Sequence, residues 1–103
     1  MASVRGGVNL VQVRAKSLNV KRQRALATKI VELIGVHAPV VVNGDPEIAK
    51  ASGATGVHLP EDGTSISNAR AILGHDALIG KSVHSTNAAI KAEEDGADYI
   101  YFG

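Results

Sequence analysis

Short runs rich in valine and isoleucine alternate along this chain with longer stretches of helical period, and glycine closes one stretch after another. This alternation narrows the fold more than any other feature, because strands joined through helices run parallel and build βαβ units. The strand candidates are Val8 to Val13, Val40 to Asn43, Gly56 to Leu59, Leu78 to Ser82 and Asp98 to Phe102. Between the first two, "NVKRQRALATKIVELIG" sets Leu26, Ile30 and Ile34 on one face with Ala27 and Val31 beside them. Lys21, Arg22, Lys29 and Glu32 fall outside that face. Asn19 is placed to cap this helix and Gly35 to end it. A short second helix starts with Pro46 in its first turn and closes at Gly53. A third runs from about Ser65 to Leu73 and a fourth from about Thr86 to Glu94, with Gly74 and Gly96 after them.

The pattern of glycine, small residue and strand recurs at Gly53-Ala54-Thr55-Gly56-Val57 and at Gly96-Ala97-Asp98-Tyr99-Ile100. It appears again at Gly6-Gly7-Val8-Asn9-Leu10, where it closes a helix that the sequence does not contain. At the other end, "YIYFG" is a strand with no helix after it. Parallel sheets are normally covered on both faces, so the chain reads as the middle of a larger βα array. Uncovered sheet edges invite pairing with another copy, which predicts a homo-oligomer. A flavodoxin-like five-stranded sheet is the alternative arrangement.

With 103 residues, 45% of them apolar and 20% charged, the composition suits one globular unit over 1–103 with one core. A formal charge of +1 gives no electrostatic case for nucleic acid or an anionic membrane surface. The basic run Lys21, Arg22, Arg24 lies in a helical pattern and reads as a solvated face. The absence of cysteine excludes disulfide and thiol chemistry. No apolar run approaches the ~18 residues of a membrane span, and a cytoplasmic location is the default expectation.

In parallel α/β folds, ligands bind at the carboxyl ends of the strands. The first strand leads into Gln12, Arg14 and Lys16, spaced by two and therefore on one face of an extended segment. Two cations and an amide suit a phosphate or diphosphate; an ordinary strand end ending in solvent fits the spacing equally well. The second strand ends "VVVNGDP", where Asn43 stands at the mouth of a site or in a plain turn. In "GVHLPEDG", Glu61 and Asp62 are candidate metal ligands, but acidic residues before a helix read first as caps. His58, in mid-strand, reads as a satisfied core histidine, and His37 and His75 lie at the wrong end of the strands. In "LIGKSVHSTN", Ser82 and His84 share a face at the strand exit, and Ser85 or Thr86 can cap the next helix, leaving amides for an anion. A serine hydrolase would also need an orienting acid and an oxyanion site, which the spacing does not supply.

These strand ends, in this order, resemble the thiamine phosphate synthase and TenI superfamily, a TIM-barrel family of thiamine biosynthesis. The matching stretches are "VQVRAK", "VVNG", "GATGVHLPEDG", "IGKSVHS" and "EEDGADYIYFG", covering about Val8 to Gly103. The resemblance implies a partial TIM barrel of about five strands and four helices, the second through sixth strands of the barrel, lacking the first and last βα units. It implies a small phosphate-bearing ligand held by Gln12, Arg14, Lys16, Asn43 and Ser82, the positions that bind the diphosphate of the pyrimidine substrate in the synthases.

The synthase reaction expels pyrophosphate from that pyrimidine and captures the resulting carbocation with a thiazole phosphate, and magnesium assists the departure. Magnesium is therefore expected only if the chain is synthase-like. The family's two aspartate positions are Gly44 and Gly63 here, with Asp45 and Asp62 each one residue out of register. "VNG", "LP" and "SVHS" are closer to the TenI branch, which aromatises a thiazole phosphate by proton transfer with a histidine directly after "YIYFG". That position would be 104, so the resemblance names no catalytic residue within the chain. The favoured expectation is a TenI-like thiamine-biosynthesis protein, with thiamine phosphate synthase and a noncatalytic phosphate-binding or oligomerising half-barrel as alternatives.

Overall fold

The computed structural model describes residues 2–4 and 10–103. Among them the elements run β1 (Ala2–Val4), β2 (Val11–Val13), α1 (Val20–Ile34), β3 (Val40–Asn43), α2 (Pro46–Ser52) and β4 (Gly56–Leu59). They continue with α3 (Ile66–Leu73), β5 (Leu78–Val83), α4 (Thr86–Glu94) and β6 (Tyr99–Phe102). The strands form one sheet in the order β1-β2-β3-β4-β5-β6. From β2 to β6 every pair is parallel. This sequential order is that of a barrel segment and differs from the flavodoxin order, which places the second strand outside the first.

The helices follow their local signals. Asn19, Asp45, Ser65 and Ser85 sit at the N-caps of α1 to α4, each side chain accepting a bond from a first-turn amide. Gly53 ends α2 in the left-handed conformation, and Gly96, with φ 97°, follows α4. Side chains other than glycine rarely adopt that backbone. At α1 the expected face packs inward: Ala27 is buried, and Leu26, Ile30, Val31 and Ile34 pack against the core.

The strands differ from the sequence reading in four places, one being β6, which begins at Tyr99 instead of Asp98. β2 begins at Val11, while Val8, Asn9 and the Gly6-Gly7 signature lie outside the described residues. β5 extends to Val83. The strand β1 pairs antiparallel with β2; three residues are too few to show an alternating pattern.

Side chains alternate across the sheet. Val11, Val13, Val40, Val42, Val57, Leu59, Ile79 and Val83 face the helices and form the core with Ala27, Ile48, Ala49, Ile66, Ala69 and Ala92. Each large aliphatic side chain buried there stabilises by about 1.5–3 kcal/mol. The opposite face carries Gln12, Asn43, His58, Ser82 and Tyr99, as the register of paired residues requires. A hydrophobic outer layer thus holds a polar inner face in place.

Candidate functional site

At the carboxyl ends of β2 to β6 lies an open cleft of about 550 Å³ whose walls include Arg14, Lys16, Asn43, Asp62, Ser82 and His84. Its size is within the range of small-molecule sites. β2 stops at Val13, and Lys16 lies in the turn that follows, so the expected single extended segment is interrupted. Both cations nevertheless reach the cleft wall. Gln12 takes part from behind: its Oε1 accepts a 2.7 Å bond from Asn43 Nδ2. Among the described residues the buried Oδ1 of Asn43 has no hydrogen-bond partner, and a donor on a bound ligand or water would satisfy it.

Behind Ser82 is a chain of hydrogen bonds. Asn43, His58, Gly80 and Tyr99 are paired in register across β3 to β6 and so form one row on the inner face. Gly80 leaves a gap in that row: a Cβ there would stand 1.9 Å from Tyr99 Cζ. Through the gap the Tyr99 hydroxyl comes within 2.9 Å of His58 Nδ1, and His58 Nε2 lies 2.6 Å from Ser82 Oγ. His58 is buried, as the sequence suggested, and its partners satisfy both ring nitrogens. Burial, and after it the nearby positive charge of Lys81, lowers its pKa from the ordinary 6.5.

Glu61 and Asp62 do not cap α3, contrary to expectation, because Ser65 occupies that position. Glu61 turns toward β5 instead, its Oε2 accepting a 3.0 Å bond from the backbone N–H of His84. The His84 ring lies beside the same carboxylate, Nε2 to Oε1 4.0 Å, while its Nδ1 donates to the carbonyl of Gly103. Ser85, not Thr86, caps α4.

The family model described as "Thiamine monophosphate synthase" matches residues 1–103. The chain belongs to that family. It is similar to the thiamine-phosphate synthase of Natronomonas pharaonis, with 41% identity over 99% of this chain and 48% of that protein. The thiamine-phosphate synthase of Nitrosococcus oceani is 42% identical over 98% of this chain and 48% of its own length. Among solved structures, the thiamine phosphate pyrophosphorylase from Pyrococcus furiosus superposes with a TM-score of 0.85 at 30% identity, covering 95% of this chain and 48% of that one. The chain therefore spans about half the length of the relatives it matches.

Within the thiamine monophosphate synthase family, the two aspartate positions that the resemblance assigns to magnesium are glycines in this chain, Gly44 and Gly63, so the neighbouring Asp45 and Asp62 are the test of fit. Asp45 accepts a 2.8 Å bond from Glu47 N at the start of α2, so its carboxylate serves as a cap. Asp62 does stand on the cleft wall, beside Glu61. Among the described residues no three histidine, cysteine, aspartate or glutamate side chains gather into a metal-binding group. The side chains present do not make a two-aspartate magnesium clamp. Also among the described residues, no helix is long and apolar enough to cross a membrane.

Arg14, Lys16, Asn43 and Ser82 stand at strand ends, where the family resemblance implied a phosphate site, and the fold brings them to one cleft. The link from Tyr99 through His58 to Ser82 was not expected from the sequence. The signal for that link is the register of three strands, which no single stretch of sequence carries.

Proposed function

We propose that this chain forms the pyrophosphate-binding side of a thiamine phosphate synthase site. The observation that carries the reading is the convergence of Arg14, Lys16, Asn43 and Ser82 on one cleft at the carboxyl ends of parallel strands. Arginine presents a planar fork of donors, lysine a point charge, and the amide and hydroxyl supply directional bonds. In the synthase reaction, negative charge grows on the departing pyrophosphate as its bond to the pyrimidine carbon breaks. Fixed donors aimed at those oxygens stabilise the transition state more than the ground state. With Asp45 engaged as a cap, charge neutralisation in this chain rests on Arg14 and Lys16.

The synthase reading stands ahead of the thiazole tautomerase toward which "VNG", "LP" and "SVHS" pointed. The named relatives support it, since both are thiamine-phosphate synthases.

Titration with inorganic pyrophosphate tests the assignment. Arg14→Ala should weaken binding about tenfold or more, the loss of a charge-assisted bond pair. Equal affinity in wild type and variant would remove Arg14 from the site and the proposal with it.

A further inference from the structure

We propose that His58 is a positioning residue that, held by Tyr99 as its Nε2–H tautomer, donates to Ser82 Oγ and so turns the Ser82 hydroxyl proton into the cleft, toward an anionic ligand. The inference rests on the reading of the cleft as a pyrophosphate site.

A serine hydroxyl has one proton to give. In the 2.6 Å contact between His58 Nε2 and Ser82 Oγ, either the ring or the hydroxyl is the donor. If the hydroxyl gave its proton to His58, Ser82 would show the cleft only lone pairs and would repel an anion. Arg14 and Lys16 on the same cleft offer an anion two positive charges; of the two carboxylates that also line it, Glu61 is engaged by the His84 amide and Asp62 stands beside it. Ser82 therefore contributes to the site only when Nε2 carries the proton. His58 Nδ1 must then accept, and the group before it is the Tyr99 hydroxyl at 2.9 Å. The proton order is Tyr99 O–H to Nδ1, Nε2–H to Ser82 Oγ, and Ser82 O–H to the ligand. Each member of the series donates to the next, so fixing the direction of one bond fixes that of its neighbours.

The arrangement is built into the sheet. His58 and Gly80 are partners in register, as are Gly80 and Tyr99, and the missing side chain at Gly80 is what allows the tyrosine to reach across β5. A neutral ring is required, because only a neutral imidazole has one donor and one acceptor.

Long-range proton–nitrogen NMR on the uniformly labelled chain reads the tautomer directly, without a ligand. The expected spectrum shows the His58 proton on Nε2, with the population spreading to Nδ1–H in Tyr99→Phe. A His58 proton on Nδ1 in the wild type would overturn the proposal, as would a tautomer indifferent to Tyr99→Phe. The second measurement is pyrophosphate affinity in three variants. His58→Leu keeps the bulk without the donor and should bind about tenfold more weakly, the scale of one hydrogen bond to a charged group. His58→Gln, whose amide can donate near the Nε2 position, should restore most of that loss, and His58→Leu should cost nothing further in a Ser82→Ala background. Equal losses in the leucine and glutamine variants, or additive losses with Ser82→Ala, would show that His58 only fills space. Failure of the wild type to bind pyrophosphate would sink the synthase reading, while the NMR result would still decide the tautomer.

Discussion

Arg70 and Asp98, 28 residues apart in the chain, meet at 3.2 Å near the amino-terminal ends of β5 and β6, on the side of the sheet away from the cleft. The same guanidinium donates to the carbonyls of His75, Ala77 and Gly96. Asp98 in turn accepts a 2.8 Å bond from the backbone N–H of Ile79. Four bonds from one rigid fork thus tie the end of α3 to the loops that start two strands, a task a lysine ammonium cannot copy.

Arg70→Ala should therefore destabilise the chain more than an ordinary surface ion pair would. Its side chain is 25% exposed and that of Asp98 40%, so the charge attraction is partly screened and the carbonyl bonds carry most of the effect. A loss of about 1–2 kcal/mol is expected by urea denaturation, with Arg70→Lys recovering less than half. A fully stable Arg70→Lys would show that position, not fork geometry, matters.

Gly80→Ala tests the row that links β4 to β6. The new methyl would overlap the Tyr99 ring, with Cε2 and Cε1 at 2.3 and 2.4 Å, and no flexible chain end is there to yield. The cost should be about 1–3 kcal/mol, typical of overpacking. Tyr99→Phe should not relieve it because the ring stays, whereas Tyr99→Ala should make Gly80→Ala nearly neutral in that background. Denaturation midpoints of the four variants give the cycle.

Acid should act through His58. Its folded pKa is lowered by burial and then by Lys81, so the unfolded chain takes up a proton at higher pH than the folded one. The stability attached to this residue is complete above 6.5, the unfolded value. It is lost as pH falls from there through the lower folded value. Thermal midpoints measured downward from pH 7 should drop more steeply for the wild type than for His58→Gln, which has no group to titrate. Parallel curves would mean that His58 gains its proton as readily folded as unfolded.

Which parts of this structure were legible in sequence follows from the range of each interaction. The helix caps at Asn19 and Ser85 bond amides three residues away, and local pattern suffices to name the first and to narrow the second to Ser85 or Thr86. That Arg14 and Ser82 line one cleft was readable because each stands at the carboxyl end of a buried strand in a parallel array, where strand ends converge. The family resemblance then ordered the strands. Glu61 was misread as a cap because its true partner, the amide of His84, is 23 residues away and its identity depends on how β4 and β5 align. The Gly80 gap is of the same kind: a glycine in a strand is unremarkable until the tyrosine opposite it is known.

The edge at β6 carries the last prediction. Among the described residues β6 pairs only with β5, and its Tyr101 and Phe102 side chains are 49% and 60% exposed. An apolar strand with one unpaired side is a template for another strand, and natural edges usually carry charge or bulges against this. The chain should self-associate through that edge. Sedimentation equilibrium over a hundredfold range of concentration should show an average mass rising above the 10.7 kDa of one chain. Phe102→Lys places a charge on the edge and should return the mass to that of the monomer without lowering the denaturation midpoint. A wild type that stays monomeric and folded throughout the range would end the case for edge pairing.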